Sequence, residues 1–136
     1  MPQETKRITL EWQEGHHFRG GEPNGPSILI DGDNAEGPGP MLTLLLAAAA
    51  CTGSDVVVVL KKMRVPFSAL RIEVSGVRRE KEPRRYISLH FDYSITGAGV
   101  DPAKIRRAID LSIEKYCSVI HSLASDIAIT YALSLA

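Results

Sequence analysis

Cys51 and Cys117 are the only two cysteines in the chain, and a pair of thiols has chemistry that neither has alone. If folding brings them together, one can attack an electrophilic oxygen, become a sulfenic acid and be resolved by the other to a disulfide. Kept apart and buried, each is only a small apolar residue. Their settings look shaped to present them: Cys51 closes the apolar run 41–50 and opens Cys51-Thr52-Gly53-Ser54-Asp55, while Cys117 lies in Glu114-Lys115-Tyr116-Cys117-Ser118. Asp55 follows Cys51 by four residues, one helical turn on, where a carboxylate raises a thiol's pKa unless it pairs with a base. The simpler role for Asp55 is structural, as a cap or a partner of backbone where Gly53 loosens the helix.

His121 stands four residues after Cys117, which on a continuous helix makes them neighbours. It is a candidate base for that thiol, or a third zinc ligand beside Cys51 and Cys117. No compact CxxC or HxxxH spacing supports zinc, so a helix-packing or surface histidine is the plainer account, and no metal is expected. His16 and His17 are adjacent, and adjacent strand residues face opposite ways, which makes them a poor chelate. Tyr116 suits an apolar pocket wall better than an acid's role.

The elements that must position these groups follow from periodicity. Ile8, Leu10 and Trp12 alternate with Thr9, Glu11 and Gln13, Glu14-Gly15 turns, and Ser27-Ile28-Leu29-Ile30 follows a second turn, an antiparallel start. Residues 31–40 are rich in Gly and Pro, and Pro40 suits a first helical turn. A helix is expected from about Met41 to about Met63, although Val56 to Val59 are β-branched. It is apolar on all sides through Ala50, so it should run through the middle of the structure or between subunits. Two half-buried strands follow, around Ile72 and Val74 and from Ile87 to Ile95, joined by the charged link 78–85 as a solvated hairpin tip. Asp101-Pro102 starts a helix with Ile105, Ile109, Ile113 and Tyr116 on one face, and Ile127, Ile129, Tyr131 and Leu133 give a last strand. The order indicates an α+β protein with residues 1–136 as a single domain.

Acidic and basic residues balance at 16 each, which gives no general pull toward nucleic acid or anionic membrane. The N-terminal residues lack a secretory pattern and two cysteines are too few for a disulfide scaffold, so a cytoplasmic protein is the default. The apolar stretch 41–60 approaches membrane-spanning length, but Asp55 would be costly in lipid, and a buried helix of a soluble protein is the better reading.

The segment from Gly39-Pro40-Met41 through Ala47-Ala48-Ala49-Ala50-Cys51-Thr52-Gly53-Ser54-Asp55-Val56-Val57 to Leu60-Lys61-Lys62 resembles the OsmC/Ohr family of osmotically inducible and organic-hydroperoxide-resistance proteins. Gly97, the helix from Ile105 to Ile113 and Glu114-Lys115-Tyr116-Cys117-Ser118 keep the family's order over essentially the whole chain. The resemblance implies antiparallel sheets packed around a central buried helix, in an intertwined homodimer with sites near the subunit interface. By position it makes Cys51 peroxidatic and Cys117 resolving, with no bound cofactor and with electrons from a dithiol reductant, possibly a lipoylated protein. It offers Arg19, in His17-Phe18-Arg19-Gly20, as thiolate stabiliser; Arg7 is an alternative, and an exposed hairpin arginine the structural account. One departure is plain: peroxidases of the Ohr branch carry an arginine-orienting glutamate ten residues before the first cysteine, and here that position is Met41. Glu14 or Glu36 would have to supply the missing acid.

The expectation is thus a cysteine-based peroxidase that reduces organic hydroperoxides to alcohols. The alternative is an OsmC-like domain with little turnover that binds a small apolar ligand or senses oxidants; a metal-binding protein is a third.

Overall fold

Leu10 and Trp12, alternating with polar residues, give β1 (Thr9–Glu14), the first strand of the computed structural model, which describes residues 2–136. Gly15, at φ 52°, turns the chain into β2 (His17–Gly21), and β3 (Ser27–Asp31) completes an antiparallel sheet in the order β1-β2-β3. Glu11 stands opposite Arg19, and Arg19 opposite Leu29. This sheet belongs to the first of two compact units, which ends at Leu44; the second is Leu45–Ala136.

The loop after β3 is organised by one buried carboxylate. Asp31 accepts backbone N–H groups from Asp33 (2.9 Å), Ala35 (3.1 Å) and Glu36 (3.0 Å), and its Oδ2 lies 3.2 Å from His17 Nε2. Those N–H groups, Glu36's foremost, hold its pKa down at about 2. His16 pairs instead with Asp33 at 3.0 Å, so each of the adjacent histidines serves its own aspartate.

The helix α1 (Pro40–Lys62) starts at the proline and runs through the four valines, whose strand preference loses to packing. Its buried residues Ala48, Thr52, Val56 and Leu60 recur every fourth position, with Gly53 beside them. Its other face is open in the single chain, where Leu46 is 57% and Val58 51% exposed. A single chain covers one stripe and leaves the other open. By length and composition α1 also qualifies as a membrane span, yet its stripe packs on protein: a Cβ on Gly53 would lie 3.1 Å from Ile72 Cδ1.

In the second unit, β4 (Ala69–Arg78) pairs antiparallel with β5 (Tyr86–Thr96), Ile72 opposite Tyr93 and Val74 opposite Phe91. The last strand β6 (Ala128–Leu135) pairs parallel to β5, Tyr131 beside Phe91. The sheet is therefore mixed and not antiparallel throughout, because the helical segment between β5 and β6 carries the chain back as a crossover. Leu89, Phe91, Tyr93 and Ile95 of β5 and Ile105, Ala108 and Ile109 of α2 (Pro102–Leu111) are buried in the core. Asp101 caps α2 as expected, its Oδ1 accepting Ala103 N–H at 2.9 Å.

Beyond Leu111 the helix changes pitch. Residues Ser112–Tyr116 form a π-helical turn, closed by Cys117 N–H donating to Ser112 O at 2.8 Å, and the short α3 (Ser118–His121) follows. The wider turn shifts the helical phase. Tyr116, expected on the face of Ile105 and Ile109, is 49% exposed, and Cys117 goes inside in its place.

Candidate functional site

Two pieces of backbone build the site: the middle of α1 supplies Cys51, Thr52 and Asp55, and the π-helical turn with the residue that closes it supplies Ser112 and Cys117. The sulfur atoms of Cys51 and Cys117 and a carboxylate oxygen of Asp55 all lie within 4.8 Å of one another. Both thiols are free, Cys51 half-buried and Cys117 fully buried. A disulfide needs the sulfurs at about 2.05 Å, so closing the pair calls for a further approach of the two side chains.

Buried hydroxyls tie this corner together. Tyr93 Oη lies 2.8 Å from Thr52 Oγ1, Thr52 Oγ1 lies 2.8 Å from Ser112 Oγ, and Ser112 Oγ lies 2.9 Å from Asp55 Oδ2. Ser112 has one proton to give, and a carboxylate can only accept. With that proton on the Asp55 bond, Thr52 donates to Ser112 and Tyr93 to Thr52, which points every hydroxyl toward Asp55. Burial pushes the Tyr93 phenol up to about 12 and keeps it neutral.

Cys117 also caps α3: its Sγ accepts Ile120 N–H at 3.5 Å. Burial raises this thiol to about 11; the Ile120 N–H opposes the rise, and neighbouring Cys51 and Asp55 add to it. It is a protonated thiol at neutral pH. Cys51 is the partner that solvent and small molecules can reach.

The remaining candidates fall elsewhere. His121 Nε2 lies 3.0 Å from the Ile113 carbonyl oxygen, in an exposed position, and it does not join the thiol cluster. Asp55 is its third member instead, and the partner given for it above is the Ser112 hydroxyl and not backbone. Arg19, on β2 of the first unit, donates from Nη1 to Ser27 Oγ at 3.5 Å; Glu36 lies 3.7 Å from His17 Nδ1. Tyr116 lines an open cavity of about 590 Å³ whose wall is mixed, apolar at Val58, Val59, Met63 and Leu111 and charged at Asp55, Lys62 and Arg107. Thr52, Ser112 and Tyr93 escaped sequence reasoning, and the available signal was small: Thr52 is the polar member of the stripe Ala48, Val56 and Leu60.

The site is thus an accessible thiol on a long helix of an α+β chain, with a buried thiol beside it. The chain belongs to the OsmC-like protein family, whose model matches residues 32–132. It is similar to Protein YhfA of Escherichia coli (strain K12), with 37% identity over 123 residues, 90% of this chain and 92% of that protein. Among solved structures, a hypothetical protein from Aquifex aeolicus VF5 superposes with TM-score 0.84 at 30% identity, covering 98% of this chain and 99% of that one. An organic hydroperoxide resistance protein from Elizabethkingia anophelis shares the fold, with TM-score 0.70 at 14% identity over 99% of each chain.

Proposed function

We propose that the chain is a cytoplasmic, thiol-dependent peroxidase that reduces organic hydroperoxides to alcohols. The observation that carries this is the pairing within 4.8 Å of a half-buried Cys51 with a fully buried Cys117. The Cys51 thiolate attacks the outer peroxide oxygen, the O–O bond breaks, and the alkoxide leaves with a proton as alcohol. Cys51 is then a sulfenic acid. The Cys117 sulfur attacks the Cys51 sulfur, and the displaced hydroxide takes up the Cys117 proton and leaves as water. A dithiol, of the kind a lipoylated protein carries, reduces the disulfide by exchange, so each peroxide and dithiol pair yields alcohol, water and oxidised dithiol.

The raised pKa of Cys117 supports this order, since a thiol at about 11 is a poor first nucleophile. The cavity beside Asp55 has Val59, Met63 and Leu111 on its wall to receive an organic chain, with Lys62 and Arg107 as its charged members. Arg19 is the stabiliser that family resemblance supplies. The open face of α1, with Leu46 and Val58, forms with Leu70 and Ile72 a cavity of about 630 Å³ that suits cover by a second copy of the chain.

Met41 favours a second reading, an OsmC-like domain that binds an apolar ligand or senses oxidants with little turnover, because a thioether cannot orient an arginine as a glutamate does. One assay separates the two: consumption of cumene hydroperoxide and of hydrogen peroxide by the reduced protein with a dihydrolipoyl reductant. Multiple turnovers of the organic peroxide, abolished in Cys51→Ser, are expected. Loss of only one peroxide per protein would leave the second reading.

A further inference from the structure

Cys51, Asp55 and Cys117 form the one group of potential metal ligands found close together among the described residues. We infer that in the reduced protein the Cys51 and Cys117 sulfurs and the Asp55 carboxylate bind a thiophilic divalent cation, zinc by preference, with a fourth position open to water. This uses the thiols in their reduced form and does not rest on peroxide turnover.

Mutual separations within 4.8 Å fit donors around one tetrahedral ion, whose bonds run about 2.3 Å to sulfur and about 2.0–2.2 Å to oxygen. Two donors sit one helical turn apart on a long helix, and the third follows a π-helical turn that brings it inside. Each of two donors has an outer partner of the kind metal sites use: Ser112 Oγ holds Asp55 at 2.9 Å, and Ile120 N–H points at Cys117 Sγ. Behind Ser112, Thr52 and Tyr93 fix the hydroxyl in place.

Charge argues the same way. Lys62 and Arg107 line the same cavity as Asp55, but among the described residues neither forms an ion pair with it, and its companions in the cluster are the two thiols. Two thiolates and a carboxylate carry three negative charges, which a divalent cation brings to one. On binding, the two thiol protons leave to solvent. Three protein donors and one open position is the arrangement of reactive rather than purely structural zinc sites.

The test is titration of the reduced, chelator-treated protein with cobalt(II) chloride, followed by zinc competition. One equivalent should produce thiolate-to-cobalt charge-transfer absorption with tetrahedral visible bands, and zinc should bleach both. Asp55→Asn should weaken cobalt binding more than tenfold, and Ser112→Ala about tenfold, within the 10–100-fold range for outer partners of metal ligands. Oxidising the wild-type protein with diamide, which removes both sulfur donors without any mutation, should abolish the signal. Absence of charge transfer in the reduced wild type would overturn the assignment, as would its survival after oxidation or unchanged affinity in a folded Asp55→Asn protein.

Discussion

Thr52 places a hydroxyl in a helical stripe otherwise made of Ala48, Val56 and Leu60, and that hydroxyl joins β5 to the π-helical turn. Replacing it by valine keeps the shape and strands two buried groups, Tyr93 Oη on one side and Ser112 Oγ on the other. Thr52→Val should therefore cost about 1–3 kcal/mol, seen as a lower urea midpoint at unchanged slope, while Thr52→Ser should recover most of it. Both cysteines could be picked out in the sequence because they are rare and flanked by distinctive segments. The Thr52, Ser112 and Tyr93 chain could not, since a buried hydroxyl is indistinguishable in one dimension from a solvated one until its partners, 41 and 60 residues away for Thr52, are known.

On the scale of elements, α1 and β4 approach each other at Gly53, where an added Cβ would already lie 3.1 Å from Ile72 Cδ1. Alanine there meets only the far end of a flexible side chain. Gly53→Leu, by contrast, should overpack the contact and cost about 1–3 kcal/mol, measurable as a drop in thermal midpoint. The helix itself was legible from Pro40 and the apolar run, and Asp101-Pro102 marked α2 as plainly. Two things were not. The parallel pairing of β5 with β6 depends on how the crossover returns, and the phase of Tyr116 depends on a π-helical turn that no residue type signals.

For the whole molecule, one carboxyl group and one thiol set limits on stability with pH. Asp31 has its pKa lowered from 3.8 to about 2, so its contribution is present above pH 3.8 and is lost as pH falls toward 2. Cys117 has its pKa raised from 9.0 to about 11; folding favours the protonated thiol, and that contribution is present below pH 9 and lost as pH rises through 11. Thermal midpoints against pH should fall at both ends, with Asp31→Asn flattening the acid limb and Cys117→Ala the alkaline one. Association is the other property at this scale. If a second copy covers the open face of α1, Val58→Glu should convert a dimer to a monomer by analytical ultracentrifugation, because it places charge in an apolar groove. The α+β class was readable from the order of elements, whereas a helix that is apolar all round does not reveal which side its own chain covers.

The sulfur of Cys117 has a second occupation, since it also receives the Ile120 N–H at the start of α3. Drawing that sulfur into a disulfide withdraws an acceptor from the backbone of a helix only four residues long. Oxidation state thus becomes a mechanical variable of the segment leading into β6. The Ile120 amide should exchange with deuterium faster in the oxidised protein than in the reduced one, so the chain would announce electron loss as loosened main chain.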